Sequence, residues 1–179
     1  GTGSAADPYL LSEEGQLAAI ASRPDAAYQL IRSGLVVREP LCASFSGSFD
    51  GNGHSLTLQI TNTQREAQVG LFGTVSLQGA VRRLFLSGRV DASGQGSCAG
   101  SICGTNFGTI YQDCVSSAAV SGVNAAGGLC GSNQGVLNGC GFTGSVKGGV
   151  SCGGIAAFNQ NDLRGCFSDA AVSGSYAGG

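Results

Sequence analysis

The strongest constraint on the fold of this 179-residue chain is a repeat of about 26 to 30 residues. One row of aliphatic residues marks it with spacings of 31, 27 and 26: Leu71, Ile102, Leu129 and Ile155. A second row keeps spacings of 30, 26 and 26: Val90, Val120, Val146 and Val172. A period of this length indicates a solenoid, in which each repeat packs on the next one.

The apolar residues within each repeat form short clusters separated by Gly, Asn and Ser, a pattern that favours strands of a few residues. The chain contains 32 glycines, and a glycine in a helix interior costs about 1 kcal/mol relative to alanine. We therefore predict an all-β parallel solenoid with three short strands and three turns per coil. Glycine is expected at the corners, and successive coils should lie about 4.8 Å apart.

Composition excludes several functional classes. Charged residues make up 11% of the chain and the net charge is −2, so there is no basic footprint for nucleic acid. No run of 18 apolar residues is present, which predicts that no helix spans a membrane. The apolar fraction of 42% nevertheless predicts a folded chain.

Three segments follow from the position of the repeat. Residues 1–6 are interpreted as a tag remnant or a mature N-terminal tail. Residues 7–40 are predicted to be an N-terminal cap that contains a helix over 12–22 and the first strands, over 27–32 and 35–38. The helix is expected to begin at the N-cap Ser12 and to cover the first coil. Residues 41–179 are assigned to the coils, and the repeat is expected to be truncated at 179 or to continue beyond it.

A row of asparagines accompanies the repeat: Asn106, Asn133 and Asn159. Each lies four residues after an aliphatic anchor, at the position that Val75 takes in the first copy. Stacked asparagine side chains pass amide hydrogen bonds from strand to strand. We expect a structural ladder at a turn, and a polar binding row is the alternative.

Eight cysteines favour an oxidising compartment. Five of them fall into two rows, one with Cys103 and Cys130, the other with Cys114, Cys140 and Cys166. Neighbours about 4.8 Å apart lie within the Cα range of a disulfide, so we expect at least one bridge between adjacent coils. A ladder of inward-facing free thiols is the alternative.

Several segments resemble the GLUG-repeat proteins of bacterial surfaces, which include segments of IgA-cleaving metallopeptidases. The resemblance lies in these stretches: Pro8-Tyr-Leu-Leu-Ser-Glu-Glu-Gly-Gln-Leu, Phe45-Ser-Gly-Ser-Phe-Asp-Gly-Asn-Gly-His, Gly70-Leu-Phe-Gly, Gly127-Gly-Leu-Cys-Gly-Ser-Asn and Gly153-Gly-Ile-Ala-Ala-Phe-Asn. It covers nearly the whole chain from residue 8 onward. It implies a right-handed parallel β-helix that is secreted or lies on the bacterial cell surface, and it implies no particular activity.

One dense polar cluster precedes His54. Its members Asp50, Gly51, Asn52 and Gly53 are predicted to form a tight turn, in which Asp and Asn bond to their own backbone. Acid–base or metal chemistry is the alternative, but His54 lacks evident partners in the sequence. No catalytic, cofactor or metal residue is assigned.

These observations predict a non-catalytic extracellular module, a stalk or an adhesin-like surface whose ligand is a glycan or a protein of a host or cell surface. A carbohydrate-active lyase or hydrolase is the first alternative, and it would need gathered carboxylates. The acids instead fall at different points of the repeat: Asp91, Asp113, Asp162 and Asp169. Most of the repeat's aromatic residues are expected to point inward.

The second alternative is a subunit of a self-stacking extracellular filament. The residues Tyr176-Ala-Gly-Gly179 begin another repeat, so the last coil is expected to present unpaired backbone groups. A second copy could then add to this open coil head to tail.

Overall fold

The computed structural model of the chain describes residues 1–178. It is an all-β protein in which parallel strands form four sheets, stacked as a solenoid of about five turns with one short helix near the N-terminus. The predicted fold class is therefore confirmed. No helix in the described residues is both long and apolar enough to cross a membrane.

The strands are numbered in chain order and belong to four sheets. Sheet 1 contains β1 (Tyr9–Leu11), β2 (Ala27–Leu30), β5 (Ser48–Asp50), β9 (Ala80–Arg82), β13 (Thr109–Tyr111), β18 (Val136–Asn138) and β23 (Leu163–Arg164), in this order. Sheet 2 contains β3 (Leu35–Val37), β6 (Ser55–Asn62), β10 (Phe85–Ala92), β14 (Val115–Ser116), β15 (Ala119–Gly122), β19 (Gly141–Phe142), β20 (Ser145–Gly148), β24 (Phe167–Ser168) and β25 (Ala171–Ser173).

The other two sheets are narrower. Sheet 3 contains β7 (Gln68–Val69), β11 (Cys98–Ala99), β16 (Ala125–Gly127), β21 (Ser151–Gly153) and β26 (Tyr176–Gly178). Sheet 4 contains β4 (Ser44–Phe45), β8 (Phe72–Val75), β12 (Cys103–Asn106), β17 (Cys130–Asn133) and β22 (Ala156–Asn159). From β7 onward each coil runs through sheets 3, 4, 1 and 2, so the expected three strands per coil were too few.

The extra corner lies between sheets 3 and 4, where the chain turns so tightly that only glycine fits. A Cβ atom on Gly127 would lie 1.9 Å from the carbonyl oxygen of Cys130. One on Gly100 would lie 2.3 Å from the Cα atom of the same cysteine. The Gly-Gly-Leu-Cys-Gly motif therefore encodes a sharp bend between two short strands, which a sequence pattern of apolar clusters does not reveal.

The corner between sheets 1 and 2 is formed by a row of residues with left-handed backbone. Their φ angles are +76° at Gly53, +49° at Arg83, +61° at Asp113, +65° at Gly139 and +56° at Gly165. Glycine adopts this conformation without steric cost. The expected corner role of glycine thus holds at three members of this row, while an arginine and an aspartate take the same conformation at the other two.

The N-terminal cap is less regular than the predicted single helix. An α-helix, α1 (Glu14–Leu17), continues as a 3₁₀ helix over Ala18–Ser22. The N-cap is Glu13, which has extended backbone (φ −137°, ψ +148°), and not Ser12. The side-chain Oε1 of Gln16 accepts the backbone amides of Ser12 at 2.7 Å and of Glu13 at 3.1 Å. These bonds satisfy two backbone amides at the start of the helix, which have no acceptor within the helix itself.

The interior of the solenoid is filled by the rows that the repeat predicted. The aliphatic anchors Leu71, Ile102, Leu129 and Ile155 are buried, as are Val90, Val120 and Val146, while Val172 is half-buried. Leu17 and Ile20 of the cap are buried against the first strands, where α1 contacts β1 and β3. The cap therefore covers the apolar end of the first coil.

Candidate functional site

The polar segment before His54 forms a tight turn at the end of β5. The backbone amide of Asn52 donates to Oδ1 of Asp50 at 2.8 Å, and the amide of His54 donates to the carbonyl of Gly51 at 2.7 Å. Asn52 and Gly53 both have positive φ, +51° and +76°. Asp50 therefore has a structural role in holding the turn closed.

Asp50 also forms the only buried ion cluster of the described residues, with two arginines from the next coil. Arg82 Nη2 lies 3.0 Å from its Oδ2, Arg83 Nε donates to its Oδ1 at 3.0 Å, and Arg83 Nη2 contacts its Oδ2. The carboxylate side chain is 10% exposed, against 42% for Arg82 and 44% for Arg83. Arg83 lies at the corner between sheets 1 and 2 and has a left-handed backbone, with φ of +49°.

Two opposing effects act on the pKa of Asp50. Burial raises this pKa, but the hydrogen bonds from Arg83 and from the Asn52 amide, together with the charge of Arg82, outweigh burial and lower it below the usual value. Asp50 is therefore ionised at neutral pH and unsuited to act as a general acid.

No acid or thiol of the described residues forms a hydrogen bond or ion pair with the His54 side chain. Its Nδ1 is 3.0 Å from the hydroxyl oxygen of Ser33. Ser55 pairs with Phe85, and Phe85 with Val115, so the row before them runs His54, Leu84, Cys114. Leu84 separates the imidazole from the nearest thiol of that row, which does not fit a Cys–His nucleophile.

The three asparagines form one hydrogen-bonded row in sheet 4. Asn106 Nδ2 donates to Oδ1 of Asn133 at 2.8 Å, and Asn133 Nδ2 donates to Oδ1 of Asn159 at 2.7 Å. The first two are fully buried, and the third is exposed. Oδ1 of Asn106 also accepts the backbone amide of Gly108 at 3.1 Å, and Oδ1 of Asn133 accepts the backbone amide of Gly135 at 3.3 Å. Because the donors and acceptors of the buried amides are used internally, they are not available to a ligand.

The five cysteines of the two predicted rows do lie in rows. Cys103 pairs in register with Cys130, and Cys114, Cys140 and Cys166 each immediately precede register partners in sheet 2. The expected bridge between coils is absent, because all five carry free thiols. In-register neighbours hold their Cβ atoms about 4.8 Å apart, whereas a disulfide needs about 3.5–4.5 Å.

Two of the stacked thiols, Cys130 and Cys140, have raised pKa values and are protonated at neutral pH. Hydrogen bonding to the Cys114 thiol and burial raise the pKa of Cys140 to about 12. The Cys103 thiol and burial likewise raise the pKa of Cys130. These groups therefore pack as small apolar side chains and are poor nucleophiles at neutral pH.

A further cysteine belongs to one of these rows, which sequence spacing missed. Ser44 pairs with Thr74, so Cys42 lies opposite Phe72, which in turn pairs with Cys103. Residues 40–43 read Pro-Leu-Cys-Ala, without the glycine-rich motif of the later coils, so the repeat counted from Leu71 onward does not include the coil of Cys42.

The outer face of sheet 1 carries long polar side chains on consecutive strands. Their register places one on each strand from β2 to β23: Gln29, Asp50, Arg82, Tyr111, Asn138 and Arg164. We call this set the outer row. Adjacent members are about 4.8 Å apart, and the residues between them along each strand point inward.

A hollow of about 210 Å³ lies at the start of the outer row. Its polar lining is Gln29, Ser48, Asp50, Arg82 and Arg83, and its remaining walls are Ala5, Pro8, Ala27 and Tyr28. The hollow brings one carboxylate and two guanidinium groups together beside open space. Sequence spacing missed it because the two arginines lie one coil away from Asp50.

The other acids predicted to be scattered are separated in the structure. Asp91 accepts a hydrogen bond from the hydroxyl of Ser121 at 3.0 Å, and Asp162 pairs with Arg164 at 2.8 Å. Asp113 occupies the corner row, and Asp169 follows β24. No group of three or more His, Cys, Asp or Glu side chains in the described part of the chain could hold a metal ion.

The expectation that most aromatic residues of the repeat point inward is wrong. Phe142 is fully buried, but Phe107, Phe158 and Phe167 are exposed and Tyr111 is half-buried. The exposed rings therefore lie on the surface of the later coils.

Comparison of the chain with family models, with curated proteins and with solved structures finds no match.

Proposed function

We propose that this chain is a non-catalytic extracellular module, a stalk or adhesin-like surface that presents a binding face to a glycan or protein ligand. The proposal includes two points that rest on the sequence resemblance: the chain is a GLUG-repeat protein, and it is secreted or lies on a bacterial cell surface. The free thiols of the stacked rows remove the argument that cysteine content gave for an oxidising compartment.

The proposal that the module is non-catalytic rests on the environment of its most buried carboxylate. The most buried carboxylate, Asp50, is neutralised by Arg82 and Arg83 and has a lowered pKa. Hydrolysis of a glycosidic bond needs two carboxyl groups about 5 to 10 Å apart, one of them with a raised pKa. Asp50 meets neither requirement, because its neighbours in the hollow are arginines.

The test is incubation of the protein with a panel of polysaccharides, followed by measurement of new reducing ends and of unsaturated products. We expect no turnover. Turnover that is lost in Asp50→Asn or His54→Ala would contradict the proposal and support the carbohydrate-active alternative. Turnover unchanged in both variants would indicate a contaminating enzyme, and purification to constant specific activity would settle that case.

Self-association is a second candidate, favoured by apolar exposure on one coil. The coil of β22 to β25 presents Phe158, Leu163 and Phe167, which are 41%, 39% and 54% exposed. Each of these strands is paired on one side only, and such edges add further strands readily. The occupant we propose is a second copy of this chain.

Light scattering over a concentration series tests this candidate. We expect the mass to rise with concentration and the rise to disappear in Phe167→Ser. Leu77→Ser is the matched control, because Leu77 is 74% exposed but lies on the turn between β8 and β9. A mass that stays monomeric at all concentrations, or an equal effect of both variants, would contradict self-association.

A further inference from the structure

We propose that the hollow and the adjoining part of the outer row bind an acidic glycan. A negatively charged group of the sugar, a carboxylate or a sulfate, binds the guanidinium donors of Arg82 that the ion pair with Asp50 leaves free. The inference rests on the proposed function, since it names the face and the ligand class of that binding module.

Charge is the first argument. Asp50 contributes one negative charge to the hollow, and Arg82 and Arg83 contribute two positive charges, so the cluster keeps a net charge of about +1 when all three are ionised. Arg83 uses Nε and one terminal nitrogen on Asp50. Arg82 uses only Nη2 in an ion pair within residues 1–178, which leaves its other donors for a ligand. Guanidinium groups bind carboxylate and sulfate-like oxyanions with paired hydrogen bonds.

The accessibility of these donors is the second argument. The Arg82 side chain is 42% exposed and borders a hollow of about 210 Å³, which Gln29 also lines. Asp50 holds both arginines in place from below, so little side-chain entropy remains to be lost when a ligand binds. A concave site with a few fixed polar groups is the usual form of a ligand site.

The continuation of the outer row is the third argument. From Arg82, the row runs through Tyr111 and Asn138 to Arg164, about 4.8 Å per strand. The half-buried phenol ring of Tyr111 can stack on a sugar face. The exposed side-chain amide of Asn138 can form paired hydrogen bonds with sugar hydroxyl groups. An extended oligosaccharide lying along the solenoid axis would meet one such side chain on each strand.

The outer face of sheet 2 provides the contrast. One of its rows begins similarly with Gln59 and Arg89, but the next strands place Ala119 and Ser145 in register. That row therefore has no ring or amide beyond its arginine. Arg89 is exposed and has no ion pair in the described residues, so it serves as a matched control for Arg82.

The experiment measures binding of three probes by isothermal titration calorimetry: tetragalacturonate, its fully methyl-esterified form, and a sulfated dextran oligomer. We expect tetragalacturonate or the sulfated oligomer to bind, and the methyl ester to bind at least tenfold more weakly because it lacks the negative charges. The better of the two acidic probes identifies the oxyanion. Affinity should fall as salt increases, because exposed charges are screened.

Variants then locate the site. Arg82→Gln should weaken binding of the acidic probe about tenfold, the equivalent of one charge-assisted hydrogen bond, while Arg83 still holds Asp50. Arg89→Gln, with the same change of charge, should leave affinity within about twofold. Tyr111→Leu should weaken binding without changing the preference for the acidic probe. Equal melting temperatures of Arg82→Gln and Arg89→Gln would exclude unfolding as the cause.

Three results would overturn the inference: no binding of either acidic probe, equal affinity for the methyl ester, or equal weakening by Arg82→Gln and Arg89→Gln. None of these would show catalysis, so the proposed non-catalytic function would stand. Cleavage of tetragalacturonate during the titration would have the opposite meaning. It would overturn the proposed function, while the variants would still locate the site.

Discussion

The early and late coils of the solenoid share one backbone outline but fill it differently. Three of the four fully buried phenylalanines, Phe45, Phe49 and Phe72, precede residue 85 and only Phe142 follows it, although the later coils also bury Ile102, Ile110, Leu129 and Leu137. The early coils contain a cluster of rings, with Phe45 stacked on Phe72 at 4.4 Å and Phe49 edge-on to Phe72 at 5.6 Å between centroids. The later coils contain rows of cysteine, asparagine and alanine.

In several inward-facing rows, large apolar side chains are replaced by smaller or polar ones between the coil of β7 to β10 and the next coil. Along register partners, Phe72 gives way to Cys103, Val75 to Asn106, and Val69 to Ala99. Leu84, one residue before Phe85, is followed in the same way by Cys114. The early coils therefore gain stability from apolar volume, whereas the later coils use identical neighbours that hydrogen-bond or pack in register. This difference predicts different sensitivity to mutation along one row.

The largest effect is expected where ring volume is removed. Phe72→Ala deletes the ring between Phe45 and Phe49, and we expect a loss of about 3 to 5 kcal/mol in the free energy of unfolding, since a large cavity remains. Cys130→Ala, in the same row, removes a single sulfur and should cost about 1 kcal/mol. Urea unfolding followed by circular dichroism measures both, and equal losses would contradict the division into two kinds of interior.

The next effect concerns the asparagine row. Asn133→Ala removes the acceptor of the Asn106 side-chain amide and of the Gly135 backbone amide. Leaving buried donors unsatisfied costs about 1 to 3 kcal/mol each, so we expect a total loss of about 2 to 4 kcal/mol. Asn138→Ala, on the exposed face of the neighbouring strand, is the control and should stay within about 0.5 kcal/mol.

A smaller effect is expected at the ion cluster of the early coils. Asp50→Asn keeps the acceptor for the Asn52 amide but loses the charge, and should cost about 1 to 2 kcal/mol at pH 7, because both arginines are partly exposed and screened by solvent. The folded pKa of Asp50 is lowered, so its contribution is present above the unfolded value of about 4 and disappears as pH falls through the folded value.

Unfolding of the two proteins at several pH values checks this prediction. The stability difference between Asp50→Asn and the original chain should be constant from pH 7 to about 5 and should shrink as pH falls below about 4. A difference that grows toward low pH would mean that the folded pKa of Asp50 is raised, contrary to the ion cluster described above.

The smallest effect should be equal in both regions, because the left-handed corner is common to them. A Cβ at Gly53 or Gly139 meets no atom within 4 Å, so alanine there adds only backbone strain at φ of +76° and +65°. We expect about 1 kcal/mol of destabilisation in each case. Gly15→Ala, in α1 with open space and no positive φ, should instead be neutral or stabilising. Unequal costs at the two corners would mean that the backbones differ.

The sequence permitted prediction of those features that repeat without insertion. The valine row recurs at a spacing of 26 in the later copies and the asparagine row at 27 and 26, so parallel stacking and the ladder at Asn106 follow from counting. The cap helix was predicted too long, because the pattern of Leu17 and Ile20 does not distinguish an α-helix from a 3₁₀ turn after Leu17.

The features that could not be predicted depend on contacts between coils of unequal length. The partnership of Asp50 with Arg83 spans 33 positions and uses a left-handed arginine, which no local pattern indicates. Cys42 was missed because its coil lacks the glycine-rich motif by which the repeat is recognised from Leu71 onward. The expected disulfide failed for a geometric reason, since Cα spacing alone does not fix the separation of Cβ atoms.

The central claim is that in-register neighbours in the later coils stabilise one another directly. A double-mutant cycle with Asn106→Ala and Asn133→Ala tests it, using the free energy of unfolding of the two single variants and the double variant. We predict a coupling of about 1 kcal/mol or more, because the second substitution removes no further contact between the two side chains. Losses that add to within about 0.3 kcal/mol would contradict the claim.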